Sequence, residues 1–392
     1  MNQDTNALSV DSWQTITSGI VLGTIGVLSF IVQPGLVQGF VTELGLSEAV
    51  ANELAFSEML GVALATYLSI VMSKKLNWRW MLGIALVIAV IGNLMSLLLL
   101  KSHLLGFARF VAGLGEGVVI SLSFTIIGLS KRTERNLALY LVLLLSYGAL
   151  GLWLMPLAFD RIGLKGIFAI WATLTAMALL SVRYIPHSSQ DHMTPRGTAV
   201  AISATMRGMA LLGVLLFNLA IGIAWANLFL IGMLIEPDEQ KIANALLLCQ
   251  FLAIGGAVIP VFLEQKLGAI VPIAVCVLGS AAFMSLLLGN PDYLVFTVVV
   301  CGFNFLWNMG LPFILSSIGE MDLSGTMVTK AIAIQMTGLG FGPLLAAFVL
   351  GQQGTFREVE LLIVSLYLIS IIPLSIAILA HRRALKARGG LS

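Results

Sequence analysis

Charge is scarce in this chain. Only 10% of its 392 residues are Asp, Glu, Lys or Arg, 59% are hydrophobic, and mean hydropathy is +1.01. A soluble globular domain carries about 25% charged residues, and a soluble core grows too slowly with chain length to hold so much apolar side chain. That excludes a soluble protein and leaves one embedded in lipid. A net charge of +2 offers no electrostatic footprint for nucleic acid. Cysteine is scarce too: Cys249, Cys276 and Cys301 lie in apolar runs, with neither CxxC nor metal-ligand spacing. The four histidines, His103, His187, His192 and His381, fall near helix ends or in loops and read as solvated side chains. GLGEG (113–117) is not the Gly-x-x-x-x-Gly-Lys-Ser/Thr phosphate loop. With no hydrolase triad, haem pair or metal cluster, the expectation is neither an enzyme nor a cofactor carrier. The N-terminus lacks a basic segment and a small-residue cleavage site, so the first apolar run is expected to stay as a span.

What is present is a series of long hydrophobic runs. A helix needs about 20 apolar residues to cross the hydrocarbon layer. Twelve runs qualify, near 16–42, 52–73, 79–100, 104–129, 136–158 and 166–185, then 208–235, 242–263, 269–289, 293–318, 326–350 and 359–380. Membrane strands alternate apolar and polar residues, and these runs do not, so the fold class is all-α. The longest connection, residues 186–207, divides an N-terminal six-helix bundle (1–185) from a C-terminal one (208–392). Fifteen of the 21 Lys and Arg fall in one set of alternate loops and the tail, including Lys74, Lys75, Lys131, Arg132, Arg196 and Lys266. Five fall in the opposite set, namely Lys101, Arg161, Lys165, Lys241 and Arg357. The positive-inside rule therefore places both termini and the central loop in the cytoplasm, in a multi-pass protein of the cell or inner membrane. The remaining basic residue is Arg109, inside the fourth run.

The halves echo each other. A shift of 191 aligns Lys75 with Lys266 and Leu76 with Leu267, and a shift of 187 aligns Gly151, Pro156 and Leu157 with Gly338, Pro343 and Leu344. Duplicated bundles place a ligand site near the midplane between the repeats. Arg109-Phe-Val-Ala-Gly113-Leu-Gly115 resembles the fourth-helix motif of the major facilitator superfamily of secondary transporters, an Arg followed by spaced glycines. The stretch 61–80 occupies the position of that superfamily's Gly-x-x-x-Asp-Arg-x-Gly-Arg signature, with Ser73 at the Asp, Lys74 at the Arg and Arg79 keeping a basic residue. In the second half Glu264 takes the acidic position, with Gly268 nearby. The resemblance spans essentially the whole chain and implies two six-helix bundles, alternating access and a small organic solute. The fifth helix keeps only Met155-Pro156-Leu157-Ala158 of the Gly-Pro-x-x-Gly-Gly run of drug:proton antiporters, which argues against multidrug efflux.

Ionisable groups inside lipid are costly and usually face an interior or a watery cavity. Arg109 and Glu116, seven residues apart, point to nearly the same helix face, with Glu116 about 10 Å deeper. Gly113, Gly115 and Gly117 allow a neighbouring helix to come close. Arg109 is expected to meet substrate, with a fixed ion pair to Glu58 as the competing reading. Glu116, a carboxyl removed from water, and Glu58 are the expected proton-coupling groups. The resemblance puts spans one, four, seven and ten around the cavity. Their polar residues Gln33, Gln38, Asn218, Trp225, Asn304, Trp307 and Asn308, with Tyr147 on span five, are the candidate substrate contacts. Indole and amide together suit a flat or apolar body held by a few hydrogen bonds. The expected activity is secondary transport of a small organic solute by a monomer, proton-coupled in one version, with Arg109 favouring an anion and uptake. Proton-driven export of lipophilic compounds and a non-transporting membrane sensor stay open as alternatives.

Overall fold

The computed structural model describes residues 9–188, 202–267, 270–321 and 326–387. They are helical almost throughout, with no strand among the described residues. Ten stretches are long and apolar enough to cross a membrane. The first expected span is missing from that set because it is broken into three pieces, α1 (Trp13–Gly26), α2 (Leu28–Ile31) and α3 (Gln33–Leu44). Spans five and six merge into α7 (Thr133–Ala178), which turns at Gly163. Counting the broken span once and α7 twice restores twelve crossings. The others are α4 (Glu48–Met72), α5 (Trp78–Leu98), α6 (Leu105–Gly128), α8 (Ala204–Ile235), α9 (Glu239–Leu267), α10 (Ile270–Ser285), α11 (Tyr293–Gly319), α12 (Thr326–Gly351) and α13 (Phe356–Ala387). Most of the linker expected at 186–207, along with Arg196, His192 and Gly268, lies outside the described residues.

Local chemistry sets the helix ends. Ser12, Ser47, Ser203, Asn77 and Asp292 each stand just before a helix and accept a first-turn backbone N–H, which satisfies donors that a helix start leaves free. The turn inside α7 needs glycine: Gly163 sits at φ 61°, ψ −178°, a region side chains do not tolerate. The Glu43 carboxylate accepts the next N–H, from Leu164, at 2.8 Å, capping the helix that continues.

Helices α1–α7 pack on one another, and α8–α13 do the same, giving two six-helix bundles. The bundles meet along α4 with α12, α7 with α9, and α3 with α8. Pro156 in α7 and Pro343 in α12, matched by the shift of 187, both lie inside helices. Inside the first bundle α4 and α6 touch backbone to backbone. A Cβ on Gly113 would overlap the Glu58 carbonyl, so the small residue fixes how near α4 lies to Arg109 and Glu116. Gly113→Val is expected to cost about 1–3 kcal/mol through overpacking, read as a lower melting temperature of the detergent-solubilised protein.

Candidate functional site

Three ionisable side chains meet inside the first bundle. Arg109 is fully buried and Glu58 nearly so. The arginine Nε donates to Glu58 Oε2 at 3.2 Å, and Nη2 makes a close ion pair with Oε1. Nη1 donates to Asn93 Oδ1 at 3.0 Å and Ser96 Oγ at 3.3 Å, both on α5. The guanidinium also lies 5.0 Å from the Phe168 ring centroid and 5.9 Å from that of Trp171. A bidentate carboxylate and two oxygen acceptors give each of the three guanidinium nitrogens a protein partner, and two aromatic faces cover the cation. On the other side of Glu58 stands the Glu116 carboxyl, within hydrogen-bonding reach of it and within the field of Arg109. Ser29 Oγ donates to Glu116 Oε2 at 3.2 Å.

Ser29 belongs to α2, and the break that follows it has a cause in the sequence. Pro34 has no N–H to give the Phe30 carbonyl four residues back. Trp225 Nε1, from α8 of the other bundle, donates to that carbonyl at 2.9 Å. At Val32 the backbone leaves helical geometry. The freed Leu28 carbonyl accepts the Tyr147 hydroxyl at 3.1 Å, and that oxygen in turn accepts Trp171 Nε1 at 3.2 Å. Side chains thus replace the hydrogen bonds a straight span would make within itself, as buried backbone groups require.

Beside α2, an amide and aromatic cluster bridges the bundles. The Trp307 ring packs edge-on against Phe30 at 6.5 Å and Trp225 at 5.8 Å. One turn away Asn304 Nδ2 donates to Gln250 Oε1 at 2.9 Å, and Asn308 Nδ2 donates to Asn304 Oδ1 at 3.0 Å. The other end of Gln250 is unsatisfied: Nε2 is buried without a hydrogen-bond partner and faces Gly148 of α7. An unpaired buried donor carries a desolvation cost of about 1–3 kcal/mol that a ligand acceptor would relieve.

The family model described as Major Facilitator Superfamily matches residues 19–327. The chain belongs to the major facilitator superfamily. Solved structures agree on the fold. A D-xylose–proton symporter shares 15% identity at a TM-score of 0.70, over 91% of this chain and 97% of its own. The nucleoside transporter NupG, solved as a point mutant, gives 11% and 0.72, over 92% and 99%. The xylose transporter XylE from E. coli, in a partially occluded inward-open conformation, gives 16% and 0.69, over 91% and 96%. No curated protein sequence matches the chain. It is a multi-pass membrane protein and a secondary transporter of a small solute, not an enzyme.

In this superfamily member the expected site residues fall into two groups and some strays. Arg109, Glu58 and Glu116 form the charged cluster, where Glu58 fills the gap that the seven-residue spacing left between the other two. The guanidinium, the candidate contact for an anionic substrate, has a protein partner on each of its three nitrogens. Trp225, Trp307, Asn304 and Asn308 gather at the bundle interface, and Tyr147 pins α2 between the groups. Asn218 is elsewhere: its Nδ2 returns to the Val214 carbonyl at 2.8 Å and it packs on Gly338 of α12. Gln38 sits toward the end away from the termini, donating to Glu239 at 3.3 Å. Gln33 is buried, its Oε1 without a partner. Gln250, Ser29, Asn93, Ser96 and Asn52 are not among the candidates named from the sequence above. Asn93 and Ser96, polar and three apart in an apolar run, were the available signal. Asn52 pairs reciprocally with Asn227 across the bundles, at 2.8 and 3.1 Å.

Proposed function

We propose that this transporter couples protons to the movement of an uncharged, hydrogen-bonding solute with a flat or apolar body. The charged cluster carries the proton half of that reading. Two carboxyls and one guanidinium, all buried, leave one negative charge uncompensated, and charge buried without compensation is expensive. One proton balances the cluster, so loading and unloading it switches the first bundle between balanced and charged states. The solute half rests on what lines the interface: the amides of Gln250, Asn304 and Asn308 and the indoles of Trp225 and Trp307, with no charged group in the cluster. Because Arg109 is already neutralised by Glu58, an organic anion would find no free counter-charge there. The xylose and nucleoside carried by the structural neighbours are of the uncharged kind.

The conformation fits alternating access. Among the described residues, side-chain hydrogen bonds between the bundles run from Trp225 to Phe30, Gln38 to Glu239, Asn52 to Asn227 and Gln240 to Trp153. They lie at mid-membrane or toward the end away from the termini. With both termini in the cytoplasm, as the positive loops argue, this state is closed to the outside. Reconstituted protein under an inward proton gradient is expected to accumulate radiolabelled D-xylose or uridine above equilibrium. Glu116→Gln is expected to equilibrate the same solute without accumulating it. Accumulation by the Gln variant at the wild-type level would refute the coupling role.

A further inference from the structure

The charged cluster and the interface cluster sit on different elements, yet both grip the same four residues. Ser29 gives its hydroxyl to Glu116. Phe30, the next residue, gives its carbonyl to Trp225 and its ring to Trp307, both in the other bundle. Breaks at Val27 and Val32 uncouple this piece from the helices before and after it. A short segment with a helix break on each side, held by the side chains of Tyr147, Glu116 and Trp225, can move without dragging a whole span along.

We propose that α2 is the mechanical link between the proton site and the contact that closes the outside, with Ser29 as its positioning residue. The inference rests on the proton-coupling reading above. A charged Glu116 accepts the Ser29 hydroxyl, at 3.2 Å in this state, more strongly than a protonated carboxyl does. Phe30 is then held against Trp225 and Trp307, and the bundles stay together. A proton on Glu116 weakens the hold on Ser29, α2 shifts, and the Trp225–Phe30 bond across the bundles is released. The groups facing Glu116 are Glu58 of α4, Arg109 of its own helix and Tyr147 of α7. The α5 residues, Asn93 and Ser96, are uncharged and reach the cluster through Arg109.

The test reads separation at the outer end. The Ala49 Cβ lies 3.9 Å from where a Cβ on Gly351 would be, so α4 and α12 touch there in the closed state. Nitroxide labels on Val50→Cys and Gln352→Cys, both exposed neighbours of that contact, report its opening by pulsed electron spin resonance. The native Cys249, Cys276 and Cys301 are buried. On acidification the wild-type background is expected to gain a longer-distance population. Ser29→Ala removes only the hydroxyl, and Trp225→Phe removes the indole N–H together with the fused five-membered ring while keeping an aromatic side chain. Each is expected to lose the pH-dependent shift while remaining folded, as is Glu116→Gln. A shift that persists in Ser29→Ala but vanishes in Glu116→Gln overturns the link through α2 and leaves proton coupling standing. No shift in the wild-type background, or an undiminished one in Glu116→Gln, overturns the coupling reading and the link with it.

Discussion

Arg109→Met is expected to lower the stability of the transporter by about 3–5 kcal/mol, because removing one partner strands a buried charge. The wild-type guanidinium is held by Glu58, Asn93 and Ser96 and covered by Phe168 and Trp171, so its loss leaves two carboxyls facing each other in a dry interior. Glu58→Gln is expected to cost a comparable amount, since Arg109 then keeps its charge with no bidentate partner. The double variant Glu58→Gln/Arg109→Met removes both charges, and its cost is expected to fall well short of the sum of the two. Replacing a whole buried pair by neutral groups is often close to neutral, whereas breaking it is not, and the double-mutant cycle isolates that difference. Thermal melts in detergent supply all three values. A substrate-binding Arg109 behaves differently: Arg109→Met would fold as well as wild type and lose only solute affinity. Additive single costs would sink the ion-pair account.

How much of this was readable from the residues depends on whether the question was local. Span positions followed from run length alone; apart from the broken first span and the last, whose helix runs seven residues past the expected end, they agree with the helices to within a few residues. The first span hid its breaks because Val27 and Val32 are apolar and only Pro34 signals trouble. The turn in α7 was legible: Gly163 stands in FDRIGLKG, between the expected spans 136–158 and 166–185, although helical geometry continues on both sides of it. Arg109 and Glu116 were conspicuous, since a charge in lipid is rarely idle. Glu58 was the partner named for Arg109 in the competing reading, and the pair forms because Gly113 lets α4 close on α6; Asn93 and Ser96 were not foreseen. Asn218 stands apart from both clusters: its Nδ2 returns to the Val214 carbonyl four residues back, while its Oδ1 is buried without a partner. Ser29 could not be ranked above the other small hydroxyls of the chain until packing placed it against Glu116. Chain periodicity reports which face a residue is on, while the identity of the facing residue is a property of helix packing.

The outer contact offers the most decisive intervention. Cysteines at Ala49 and Gly351 would have Cβ atoms 3.9 Å apart, inside the roughly 3.5–4.5 Å that a relaxed disulfide accepts. Both positions lie at helix ends outside the charged and interface clusters, so the reduced double variant is expected to transport like wild type. Oxidation ties α4 to α12 across the two bundles and holds the outer side shut. Transport by alternating access needs that side to open once per cycle. Uptake of the probe solute is therefore expected to fall to the level of protein-free liposomes and to return on reduction. The single variants Ala49→Cys and Gly351→Cys, treated with the same oxidant, are expected to keep their activity. Locking the far side also separates two kinds of failure. A solute that still binds the oxidised protein from the side of the termini, without crossing, places its site on the open side of the latch. Full transport by the cross-linked protein would mean that the two bundles need not part at this end, and a rocking mechanism about α4 and α12 would fail with it.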